Sequence, residues 1–121
     1  MVFLCVVVGG AAGAVARYAL GAWVQARRPR FPWGTLVVNV TGAFALGLLL
    51  PMLAAHPVLK ALVATGFLGA YTTFSTFSAE AALLVHDRDW RRAAEYVGAT
   101  VVLGLAASFA GWWFASALLA R

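Results

Sequence analysis

Thr72-Thr73-Phe74-Ser75-Thr76-Phe77-Ser78 puts five hydroxyls and two phenylalanines into seven consecutive residues. The segment around it is otherwise apolar enough to cross a bilayer. A buried hydroxyl left without a partner costs on the order of 1–3 kcal/mol. A run this dense in hydroxyls, set where lipid favours aliphatic side chains, therefore reads as the lining of a path for something that hydrogen-bonds.

Outward from that run, the chain has the composition of an integral membrane protein. Of its 121 residues 64% are hydrophobic and only 11% charged, and the mean hydropathy is +0.89. A soluble domain of this length needs far more charged surface. Uncharged stretches of membrane length cover residues 31–55, 61–79 and 96–120, and residues 1–24 are interrupted only by Arg17. A helix of about 20 residues crosses a hydrocarbon core of roughly 30 Å. The expectation is an all-α fold of four transmembrane helices, forming a single domain over residues 1–121. No Lys or Arg precedes Arg17, so the first apolar run is expected to be a retained helix, because a secretory signal has a basic start and a shorter apolar core.

Several function classes are excluded at this level. There is no phosphate-binding loop, no nucleophile with a supporting base, and no acidic pair for phosphoryl or glycosyl chemistry, so no enzymatic activity is expected. The one cysteine, Cys5, allows no intrachain disulfide. His56 and His86 have no metal-ligand spacing with another donor. The net charge of +5 is explained by loop cations that set membrane orientation, and no nucleic-acid partner is expected. Arg27, Arg28 and Arg30 follow the first span and Arg88, Arg91 and Arg92 precede the fourth, whereas Lys60 and Arg121 lie opposite. Odd-numbered connections then face the cytoplasm and both termini face out.

Polar groups inside membrane spans are costly and usually face a bundle interior or a water-filled cavity. Span 2 carries Asn39 and Thr41, with Asn39 either joining helices or donating to a ligand. In span 3, helical spacing sets Phe74 and Phe77 on one face and Thr73, Thr76 and Glu80 on a neighbouring stripe. Glu80 either pairs with a base or caps that stripe. Span 4 opens with Tyr96 and has Thr100 one turn later. Arg17 either snorkels to the headgroups or adds positive potential at a vestibule. Gly66 and Gly69 read either as a helix break, which would expose carbonyls able to bind a cation, or as packing positions. Gly9 with Gly13, Ala43 with Gly47, and Ala107 with Gly111 are small-residue pairs that let helices approach in lipid. Most of the polar groups are hydrogen-bond donors, and ring edges carry positive potential. A cation pathway would show acids in several spans, so the balance favours a small anion.

The residues 9–18 (GGAAGAVARY), 34–39 (GTLVVN) with Gly42, Phe44 and Gly47, and 66–80 (GFLGAYTTFSTFSAE) resemble the small fluoride channels of the Fluc/CrcB family across all four spans. Ala70 stands where the family often has Gly. The resemblance implies an antiparallel dimer with two pores that conducts fluoride passively across the bacterial plasma (inner) membrane. It implies a third helix broken near Gly69-Thr72, and a structural Na+ at the dimer interface held by the backbone carbonyls of Gly69 and Thr72. It implies a fluoride path along Asn39, Phe74, Ser75, Thr76, Phe77, Tyr96 and Thr100, with Arg17 and Glu80 near the vestibule and polar track.

The cation bias of six against two sits awkwardly with a protein that inserts both ways. Either a homodimer tolerates the bias, or the chain pairs as a heterodimer with an oppositely oriented homologue. Two other readings remain. A small multidrug-type exporter would need a carboxylate in span 1, where none exists, and a non-transporting membrane assembly subunit would leave the hydroxyl run unexplained.

Overall fold

The computed structural model describes residues 1–120; Arg121, counted above on the far side, lies outside the described residues. Four helical spans form, as expected: Val2–Arg27, Trp33–Met52, Pro57–His86 and Trp90–Leu119. No strand occurs among the described residues. Helices are the natural outcome, because a segment in lipid must satisfy its backbone N–H and C=O groups internally. The first two spans are α1 (Val2–Arg27) and α2 (Trp33–Met52), and Pro51 is tolerated in the last turn of α2.

The third span is two helices. Its first half, α3 (57–71), starts with Pro57 at its first position. It widens to π-helical turns over Ala61–Leu68 and tightens again over Gly69–Tyr71. Thr72 and Thr73 are extended, with ψ of 154° and 116°. The second half, α4, runs Phe74–His86. Helix α5 (Trp90–Leu119) is capped by Asp89, whose side chain accepts from the Arg92 N–H at 3.2 Å. The third connection is consequently short: His86 ends α4, and Arg91 and Arg92, expected to precede the fourth span, belong with Trp90 to the first turn of α5.

Two close pairs carry the packing, α1 against α3 and α2 against α5. Both rest on small residues. A side chain at Gly9 or Gly13 would collide with the carbonyls of Leu62 or Phe67 in α3. Gly47 and Gly111 have the same relation across α2 and α5, facing the backbone at Ser108 and Phe44 respectively. Backbones this close supply the dispersion contacts that drive helix association where lipid removes most of the hydrophobic incentive. Val38, Leu68 and Tyr71 form the buried centre, flanked by Ala16, Leu20 and Phe67. By contrast, α4 contains no buried residue and packs only lightly on α2 and α5.

Candidate functional site

The break in the third span is held open by a side chain from α2. Asn39 donates from Nδ2 to the carbonyl of Thr73 at 3.0 Å and accepts at Oδ1 from the Thr73 N–H at 2.8 Å. Thr73 is only 7% exposed, so this amide does for Thr73 what a neighbouring strand would do in a sheet. The Thr73 hydroxyl caps α4 by accepting from the Thr76 N–H at 3.2 Å. These two bonds divert the N–H groups that would close an unbroken helix onto the carbonyls of Gly69 and Thr72. Neither carbonyl accepts a hydrogen bond among the described residues.

The glycines are not where the helix opens. Gly69 keeps helical geometry, with φ −62° and ψ −34°. A Cβ on Gly66 would come within 2.8 Å of the Val6 carbonyl, which makes it a packing residue of the α1–α3 contact. Extended backbone at two threonines, clamped by one asparagine, makes the break.

Thr73 also divides two cavities. One, about 410 Å³, lies among α1, α2 and α4 and is lined by Arg17, Gln25, Thr35, Thr73, Thr76 and Glu80. Arg17 and Glu80 share this cavity without forming an ion pair. The second, about 480 Å³, is a groove lined by Asn39, Thr72, Thr73, Phe74, Phe77 and Thr100. Phe74 is 78% exposed there, and its ring centroid lies 5.8 Å from that of Phe77. The Asn39 amide has two hydrogens; one is spent on Thr73, leaving one for the groove.

Glu80, which lines the first cavity, is joined to Tyr96. Thr35 donates to Glu80 Oε1 at 3.0 Å, and the Tyr96 hydroxyl donates to Oε2 at 2.7 Å. Tyr96 is fully buried, packed between Phe77 at 5.4 Å and the edge of Phe31 at 5.7 Å. The half-buried Glu80 carboxylate thus has a hydroxyl donor on each oxygen, which offsets the cost of drawing it out of water.

The predicted site residues therefore fall into three groups. Asn39, Thr72, Phe74, Phe77 and Thr100 meet at the groove; Arg17, Thr76 and Glu80 meet at the cavity, with Tyr96 reaching Glu80. The Ser75 hydroxyl pairs with that of Thr73, at 3.3 Å, and Gly69 lines neither space. Not every hydroxyl is directed at a path. Thr72 donates to Leu68, Ser78 to Phe74 and Ser75, and Thr100 to Tyr96, all at backbone carbonyls of their own segment. Sequence reasoning passed over Gln25, Thr35 and the Thr41–Tyr71 hydroxyl pair at 2.9 Å. The available signal was position: Gln25 and Thr35 are polar residues in the last turn of span 1 and the first of span 2.

Comparison with known proteins agrees with this architecture. The family described as CrcB-like protein, Camphor Resistance (CrcB), matches residues 4–112. The fluoride-specific ion channel FluC of Acidobacterium capsulatum is 44% identical over 116 residues, covering 92% of this chain and 93% of that protein. FluC 1 of Geobacillus kaustophilus is 44% identical, covering 90% and 93%. FluC 2 of Moorella thermoacetica is 43% identical, covering 98% and 99%.

Proposed function

The chain belongs to the CrcB-like family, and from that membership we infer that it is a fluoride-specific ion channel, a multi-pass bacterial membrane protein whose permeant is fluoride. The observation that carries the reading into chemistry is the Asn39–Thr73 clamp. It brings an amide N–H and two phenylalanine rings to one groove, beside the hydroxyls of Thr72, Thr73 and Thr100. Fluoride holds its hydration shell tightly, so a selective path must replace several waters with fixed donors in a narrow space. Asn39, Ser75, Thr76, Tyr96 and Thr100 are the proposed donors or track residues, and Phe74 and Phe77 the ring faces. Arg17 raises the local positive potential of the cavity it shares with Glu80. The exporter and scaffold readings find no support, since the relatives are named as channels.

Movement is proposed to be passive and outward. Fluoride enters cells as neutral HF and dissociates in the less acidic interior. A potential negative inside then favours exit of the anion by about 2.3 kcal/mol per 100 mV.

The working unit is proposed to be an antiparallel dimer with two pores. The exposed Phe74 and the thinly packed α4 support this reading, because a second copy would cover both. A structural Na+ is proposed on the dimer axis, with the Gly69 and Thr72 carbonyls as its ligands. Hard oxygen donors suit such a cation, and these two carbonyls have lost their helical donors. When bound, the ion would offset carbonyl dipoles brought together from two copies.

The test is flux from vesicles holding potassium fluoride and potassium chloride, with valinomycin added to carry the countercharge. Fluoride should leave without a proton gradient while chloride stays. Equal passage of both anions, or none of either, would refute the assignment.

A further inference from the structure

We propose that the connection between α1 and α2 binds the phosphate of an anionic phospholipid at the membrane surface. The six arginines at this end of the bundle divide into two unlike groups. Every acidic residue of the chain lies at or beyond position 80: Glu80, Asp87, Asp89 and Glu95. Around the α4–α5 connection the arginines are therefore matched. Arg91 Nε lies 2.8 Å from Glu95, Arg92 lies 3.1 Å from Asp89, and Arg88 stands between Asp87 and Asp89 in the chain. Arg27, Arg28 and Arg30 have no carboxylate partner among the described residues.

What the first connection has instead is indole. The Arg27 guanidinium sits 3.8 Å above the Trp23 ring, and that of Arg28 lies 5.7 Å from Trp33. Ring contact orients a guanidinium but leaves its charge uncancelled and most of its N–H fork free. Arg28, Pro29, Arg30 and Trp33 line an open hollow of about 180 Å³. Tryptophans at span ends mark headgroup depth, which sets the source of the anion: a lipid, held at the level where its phosphate lies.

The loop is also fixed in shape. Gln25 donates from Nε2 to the carbonyls of Arg28 (3.3 Å) and Phe31 (3.1 Å), and accepts from the Gly34 N–H at 3.1 Å. All three bonds go to the connection or to the start of α2, so the arginines are presented on a braced backbone. Bracing lowers the ordering cost of binding, and paired guanidinium N–H groups match phosphate oxygens.

Native mass spectrometry of the full-length purified protein, titrated with phosphatidylglycerol and phosphatidylcholine, tests this. Wild-type protein should retain phosphatidylglycerol in preference. The Arg28→Gln/Arg30→Gln double variant should lose roughly tenfold of that preference, and Arg91→Gln/Arg92→Gln should keep it. Gln25→Leu, which leaves the charge unchanged, should also weaken it. Elution of each variant from size exclusion at the wild-type position shows that the fold survives. The proposal is overturned by no preference in wild type, by equal loss in both double variants, or by inorganic phosphate displacing the lipid at equal concentration, which would mark a free-anion site.

Discussion

Asn39 concentrates the structural work of the site in one side chain. Asn39→Ala would leave both the N–H and the C=O of nearly buried Thr73 unpaired, each worth about 1–3 kcal/mol. The expected outcome is a clear fall in the thermal midpoint of the detergent-solubilised protein together with lost fluoride flux; an unchanged midpoint would mean that the clamp is dispensable. Phe74→Ile and Phe77→Ile keep bulk but remove the ring edge. Each should cut flux roughly tenfold, the equivalent of about 1.4 kcal/mol, while the protein elutes from size exclusion unchanged. Wild-type flux in both would end the role given to the rings. At this scale the sequence showed which residues are polar but not whom they meet. Thr72 and Ser78 satisfy themselves on carbonyls of their own segment, an option open to any helical Ser or Thr. Thr35 finds Glu80 across 45 positions, and no local pattern announces such a bond.

Among the elements, the four spans were legible because length and apolarity alone dictate them. The position of the break was legible only to within a few residues. Gly66 and Gly69 were open to two readings, a helix break or packing, since in lipid a helical glycine is often a contact surface, and Gly66 is one. The extended pair is Thr72 and Thr73, set by a partner on α2 that no propensity scale contains. Gly9, Gly13, Gly47 and Gly111 are contact positions, as the small-residue pairs suggested, but which helix each meets was not legible in the sequence. Their geometry gives a contrast. Gly111→Leu drives a side chain into the Phe44 carbonyl and should destabilise by about 1–3 kcal/mol. Gly98, also on α5, has open space around its Cβ position, and Gly98→Ala should stabilise by about 0.5–1 kcal/mol. Chemical or thermal unfolding in detergent reads both, and equal effects would contradict the packing described.

For the whole molecule, charge and apolar length foretold membrane insertion, whereas the proposed dimer rests on family likeness. The chain by itself leaves Phe74 exposed and no residue of α4 fully buried, which single-chain periodicity has no means of assigning to lipid or to a second copy. The cation bias makes the question experimental. Reporter fusions at the C-terminus, expressed without any homologue, should give a signal predominantly from outside the cell. Equal signals from both sides would favour a homodimer built from one sequence inserted both ways.

The clamp also bears on biogenesis. Asn39 leaves the ribosome 34 residues ahead of Thr73, so the receptor for the kinked segment is already in the bilayer when that segment arrives. Vectorial synthesis thereby spares the nascent chain an interval with bare peptide groups in oil. A circularly permuted gene that delivers α2 last would forfeit this protection, and its product would have to wait, half-built, for the quality-control machinery or for its missing helix.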